Sequence, residues 1–221
     1  MSLNLSRPIL YLITRGATTE ATTSESPEFQ DILFQVSSAV EAGINLVQIR
    51  EKNLTARVLF ELVSRAVKIT RMSSTRLLVN DRADIAAGAG ADGVHLTTWS
   101  LETAVIRRTF GAKILIGAST HSLAEATAAR DAGADFAVLG PVFETESKAQ
   151  YGEPVGLEKL AEVTHALHRF PVLALGGINI ANAADCLRAG ASGISGISLF
   201  REPRNLTTVV KAIKSGAGGA I

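Results

Sequence analysis

The sequence predicts one α/β domain closed into a (β/α)8 TIM barrel, and three observations carry that expectation. Short runs rich in Ile, Val and Leu alternate eight times with stretches of helical period, and continuous apolar runs mark strands buried on both faces. A recurring phrase, Glu41-Ala42-Gly43, Gly90-Ala91-Asp92-Gly93, Ala132-Gly133-Ala134-Asp135 and Ala189-Gly190-Ala191-Ser192, closes a helix just before a strand. Glycine there ends the helix at low steric cost. Polar residues gather after strands rather than after helices, as in barrels whose sites open at the C-terminal mouth. The 221 residues, 47% of them hydrophobic, suffice for a single core of this kind. An open doubly wound sheet is the competing topology, but the first strand runs into Arg15-Gly16-Ala17-Thr18 with no G-x-G-x-x-G.

The elements follow in order. Strands are expected over residues 9–14, 45–50, 76–80, 93–96, 113–117, 136–139, 172–175 and 193–197. Helical spacing covers 28–42, 55–72, 101–110, 123–132, 157–168 and 180–189, with a short helix over 82–89 and an eighth after Pro203. The last residues, roughly 215–221, read as a frayed tail.

Composition narrows the function. Twenty-two basic and 21 acidic residues leave a formal net charge of +1, so no global field recruits nucleic acid or an anionic membrane. One cysteine, Cys186, excludes an internal disulfide framework and points to a reducing, cytoplasmic setting. The first residues lack the pattern of a signal peptide, and no apolar run reaches the ~18 residues of a membrane span. Aromatic residues make up 5% of the chain, too few for an obvious platform for single-stranded nucleic acid.

Candidate site residues fall at strand ends. Gln48 and Arg50 alternate to the same side, the barrel interior. A guanidinium there either meets a phosphate or pyrophosphate or pairs with Glu51 or another strand's carboxylate. Asp81, after Asn80, is either a Mg2+ ligand or the N-cap of the next helix. His95 lies within an apolar strand and reads as structural, whereas His121 follows a strand and suits acid–base work. Ser122 reads as a helix cap and Ser119 as a local hydrogen bonder. The long aperiodic stretch after strand six carries Lys148, placed either on an anion or in solvent. Gly176-Gly177 and the Gly193–Ser198 segment lie where backbone amides bind phosphate in this architecture; tight turn geometry is the alternative reason for the glycines. Arg107 and Arg108 read as a solvated helix face.

Seven motifs in order, VQIREK, LVNDRADIA, ADGVHL, GASTHS, GADFAVLGPVFETESK, PVLALGGI and AGASGISGIS, resemble those of the thiamine phosphate synthase and TenI superfamily over nearly the whole chain. The resemblance implies a barrel that couples hydroxymethylpyrimidine diphosphate to hydroxyethylthiazole phosphate with release of pyrophosphate and Mg2+. It further implies that Gln48, Arg50, Lys52, Asn80 and Lys148 hold the pyrimidine diphosphate, Arg50 and Lys148 serving catalysis, with Asp81 on the metal. Ser119, Thr145, Ser147 and the backbone at Gly177, Ile197 and Ser198 would hold the thiazole phosphate.

One position departs. After VHL the synthase pattern has Gly-Gln-x-Asp, the Asp a second Mg2+ ligand, whereas this chain reads Thr97-Thr98-Trp99-Ser100. A hydroxyl is a poorer Mg2+ ligand than a carboxylate, and Glu102 is the nearby acid that would have to compensate. The departure favours the TenI-like thiazole tautomerases, which need no metal and implicate the histidine matched by His121. A thiazole phosphate or thiamine phosphate binding protein without turnover is the third reading. A homodimer is compatible with such a barrel.

Overall fold

The computed structural model describes residues 5–145 and 153–217. Strands β1 (Ile9–Ile13), β2 (Leu46–Ile49), β3 (Arg76–Asn80), β4 (Gly93–Leu96), β5 (Leu115–Thr120), β6 (Phe136–Leu139), β7 (Val172–Ala174) and β8 (Gly193–Gly196) close in sequence order into a parallel barrel. Each is followed by its helix: α1 (Pro27–Ala42), α2 (Ala56–Thr70), α3 (Ala83–Ala89), α4 (Thr103–Phe110), α5 (Leu123–Asp131), α6 (Gly156–Ala166), α7 (Ala183–Arg188) and α8 (Leu206–Ala217). The expected fold is the observed one. At the closing seam Ile9 of β1 faces Gly193 of β8. A Cβ on Gly193 would strike the Ile9 carbonyl oxygen, so the seam requires glycine.

Alternation along the strands sorts two cores. Leu10, Leu12, Val47, Ile49, Leu77 and Val79 face outward and pack with the buried faces of the helices. Ile9, Tyr11, Ile13, Leu46, Leu78, Phe136, Val138 and Leu173 face inward and fill the barrel. Tyr11 and Phe136 meet edge to face with ring centroids 5.6 Å apart, and burying each ring contributes about 1.5–3 kcal/mol. The helix starts obey local chemistry. Pro27 opens α1, Thr55 accepts from the Val58 amide to cap α2, and Ser122 accepts from the Glu125 amide to cap α5 as expected.

Four expectations need correction. The fifth strand is not residues 113–117: Gly111–Lys113 forms a 3-10 turn and β5 runs Leu115–Thr120. Its Gly117 has no side chain because the interior is full there. A Cβ on Gly117 would strike the Phe136 ring and come within 2.7 Å of His95 Nδ1. Helix α7 starts at Ala183 rather than 180, because the Asn179 side chain accepts from the amides of Ala181 and Asn182 while the Asn182 side chain accepts from the Asn179 amide, building a turn first. The tail does not fray from residue 215, since α8 continues to Ala217; residues 218–221 lie outside the described set. Arg107 is no solvated charge. Its guanidinium donates to the carbonyls of Gly111, Ile114 and Gly133 and to the Asp135 carboxylate at 2.7 Å, tying α4 to the loops before β5 and β6. Arg108 remains exposed. Among the described residues no helix is long and apolar enough to cross a membrane.

Candidate active site

The strands' C-terminal ends open into a cavity of about 760 Å3 to which every strand or its following loop contributes. Gln48, Arg50, Lys52, Asn80, Ser119, His121, Thr145, Ile197 and Ser198 line it, so nine of the expected site residues converge. Ser147 and Lys148 lie outside the described residues. Arg15, His95, Thr97, Thr98 and Trp99 also line the cavity. Arg15 had no motif to mark it, and Trp99, 92% exposed, stands at the rim. A smaller cavity of about 410 Å3 adjoins this one through Ile13, Arg15 and Ile197.

The β1–β2 side is cationic. Glu51 does not pair with Arg50: buried, its carboxylate accepts from the amides of Gly16 (3.1 Å) and Thr18 (3.2 Å) and from the Thr18 hydroxyl (2.8 Å). That carboxylate therefore pins the β1–α1 loop to β2. No ion pair among the described residues involves Arg15, Arg50 or Lys52. Gln48 is fixed below them, its Nε2 donating to the Tyr11 hydroxyl oxygen at 2.8 Å. Burial raises the Tyr11 pKa, so this phenol stays neutral.

The β3–β4 edge carries Asp81, the one non-glycine residue at positive φ (60°) among the described residues. Its side chain does not cap α3, whose N-cap is Arg82. One carboxylate oxygen accepts from the hydroxyls of Ser100 and Thr97, and the other from Asn80 Nδ2 at 2.8 Å. The Ser100 hydroxyl in turn accepts from the Thr97 amide at 2.6 Å. Glu102, at the start of α4, is exposed and does not line the cavity. Mg2+ asks for hard oxygen ligands in octahedral order, chiefly carboxylates, waters and substrate phosphates. The donor set here is one carboxylate already engaged by three neutral donors, and no group of three His, Cys, Asp or Glu gathers among the described residues. These residues do not fit a paired-carboxylate Mg2+ site.

On β5, Ser119 is part of the strand and shares a 3.0 Å hydrogen bond with Nε2 of the buried His95. His95 is structural in the sense expected, yet what it supports is a candidate ligand-binding hydroxyl. His121 bonds through Nδ1 to the Gly140 carbonyl. A carbonyl only accepts, so Nδ1 carries a proton, and in the neutral ring the lone pair is on Nε2.

The β7–β8 side is built from backbone. Gly177 sits at φ 63°, where a Cβ would strike the Glu144 carbonyl and come within 2.7 Å of Phe143 Cβ. Packing against the β6 loop therefore dictates this glycine. Asn182 Nδ2 donates to the Gly177 carbonyl at 3.0 Å and steadies the turn. No acceptor among the described residues takes the amide of Gly177, or that of Ser198 at the head of the 3-10 turn Ser198–Phe200. Open backbone amides in loops suit an anion.

A cationic arc on one side of a barrel mouth and open amides on the other define the class: a (β/α)8 barrel enzyme for phosphorylated small molecules. Residues 10–200 match the family model described as thiamine monophosphate synthase. A putative thiamine-phosphate synthase of Geobacter sulfurreducens is 49% identical over 169 residues, 76% of this chain and 79% of that protein. A thiamine-phosphate synthase of Roseiflexus sp. is 38% identical over 185 residues, 82% and 78% of the two chains. The solved thiamine phosphate pyrophosphorylase of Pyrococcus furiosus superposes with a TM-score of 0.75 at 30% identity, covering 93% of this chain and 96% of its own. The chain belongs to the thiamine monophosphate synthase family.

Proposed function

We propose that this chain is a thiamine phosphate synthase, joining hydroxymethylpyrimidine diphosphate to hydroxyethylthiazole phosphate with release of pyrophosphate. The observation that supports it best is one cavity in which Arg15, Arg50 and Lys52 lie on one side and Ser198, whose amide has no described acceptor, on the other; the open amide of Gly177 sits two residues beyond the lining residue Leu175. In this reading the bond from the pyrimidine methylene carbon to the diphosphate oxygen breaks, and its electron pair leaves on pyrophosphate. Arg50 and its neighbouring cations offset that charge as it develops. The thiazole nitrogen lone pair then forms the new C–N bond. Holding both partners across one mouth supplies orientation, and no protein nucleophile is required. Ser119, fixed by His95, and the open amides position the thiazole phosphate. Cytoplasmic action on free metabolites belongs to the same reading, in keeping with Cys186 as a buried free thiol.

Incubating the purified chain with both substrates, with and without Mg2+, tests the reading. Pyrophosphate and thiamine phosphate should appear in equal amounts; folded protein producing neither overturns it. A second reading, aromatisation of a thiazole carboxylate phosphate tautomer, is favoured by His121, which lines the cavity and is oriented through Nδ1 by the Gly140 carbonyl. His121→Ala separates the two. It should cost a tautomerase about 10²-fold or more, while a synthase keeps most of its pyrophosphate release.

A further inference from the structure

Asp81 is held as a hydrogen-bond acceptor by this chain's own neutral groups. A carboxylate offers about four lone-pair sites, and donors from Ser100, Thr97 and Asn80 face three of them. The Ser100 hydroxyl is locked in turn by the Thr97 amide. A cation seated on Asp81 would have to displace that network, and no group of three His, Cys, Asp or Glu gathers there among the described residues. Around the same mouth, Arg15, Arg50 and Lys52 converge with no ion pair to a described carboxylate. Three like charges in one concavity repel one another unless a polyanion enters.

We propose that this mouth binds a diphosphate without a divalent cation: Arg15, Arg50 and Lys52 take its charge, and Ser100 keeps Asp81 as a hydrogen-bond acceptor. Arg15 thereby becomes a binding residue for the diphosphate. It enters from the β1–α1 loop that Glu51 holds against β2. The inference rests on the synthase reading only for the identity of the anion. It separates the two half-mouths by chemistry, charge met by side chains in one and by backbone amides in the other.

Calorimetric titration of the full chain with inorganic pyrophosphate, in EDTA and in Mg2+, tests it. Wild type should bind in EDTA with an affinity within about threefold of that in Mg2+. Arg15→Ala should weaken binding in EDTA by about tenfold or more. Ser100→Asp should weaken binding in EDTA by about tenfold, because it adds a like charge, and Mg2+ should restore it. Manganese(II) paramagnetic resonance gives a readout free of the anion. Wild type should retain no tightly held ion, and Ser100→Asp should gain one. Thermal melts confirm that each variant is folded, and Arg15→Lys, which keeps the charge, should recover part of the Arg15→Ala loss. Wild-type binding that appears only with Mg2+ overturns the inference and leaves the synthase reading standing. Undiminished binding by Arg15→Ala in EDTA also overturns it. Absence of pyrophosphate binding under either condition removes both.

Discussion

In the synthase reading the two sides of the mouth solve the same problem, holding a phosphate group, with different materials. On the β1–β3 side the groups are side chains, Arg15, Arg50 and Lys52, set above the Gln48–Tyr11 hydrogen bond. On the β7–β8 side they are amides of Gly177 and Ser198, and the glycine is dictated by contact with the β6 loop rather than by a ligand. A side-chain site can be retuned one residue at a time, which is how a serine can stand at position 100 with the surrounding fold intact. A backbone site has no such freedom, because altering its chemistry means moving chain.

The sharpest way to break this contrast is Gly177→Ala. A left-handed backbone costs a non-glycine residue about 1–2 kcal/mol, and crowding against Phe143 and Glu144 adds about 1–3 kcal/mol. Thiazole phosphate binding should fall by two orders of magnitude or more (about 2.7 kcal/mol or above), with a lower melting temperature and little change in pyrophosphate affinity. Equal losses on both sides would mean that the halves are not independent. Arg50→Ala is the converse. Losing charge-assisted hydrogen bonds costs about 1.5–3 kcal/mol, so kcat/KM for the diphosphate should drop about 10–100-fold, with melting and thiazole phosphate affinity unchanged. Steady-state kinetics and calorimetry decide it.

The same contrast explains what was legible in the sequence. Continuous apolar runs carry the strand order, and period-two alternation places Gln48 and Arg50 on the interior side, where both line the cavity. Residues 118–120 read as a turn because Ala, Ser and Thr look like one, and only the pairing of Ala118 with Leu96 and Ala137, and of Ser119 and Thr120 with Val138 and Leu139, shows that the strand continues. Arg15 escaped because one arginine in a loop has no period and no spacing. Arg107 looks solvated in the sequence for a related reason: its hydrogen bonds go to carbonyls of Gly111, Ile114 and Gly133, and carbonyls leave no mark in a sequence. The Ser100 substitution was visible, but its consequence was not, since the donor it offers to Asp81 is a tertiary fact.

Glu51→Gln tests whether the cationic side depends on its foundation. Two amides and a hydroxyl point at the carboxylate, and glutamine would turn an NH2 toward some of them, leaving buried donors facing a donor. An unsatisfied buried group costs about 1–3 kcal/mol, so urea unfolding should report a loss near 2 kcal/mol. Because this loop carries Arg15, KM for the diphosphate should rise while the thiazole side keeps its affinity. A stability loss without the KM change would detach Arg15 from the site.

The smallest effect is expected from Lys52→Ala. Lys52 is exposed, and an exposed charge acts through solvent of high dielectric, contributing roughly 1 kcal/mol or less. Its share is therefore long-range attraction rather than a fixed hydrogen bond, and it should vanish once the Debye length falls to about 3 Å at 1 M salt. Pyrophosphate affinity of the variant should trail wild type by a few-fold at low ionic strength and meet it at high salt. The Arg50→Ala deficit, built on partly buried contacts, should persist there. If Lys52→Ala keeps its deficit at high salt, Lys52 contacts the anion directly, and the side-chain half of the mouth is as tightly built as the backbone half.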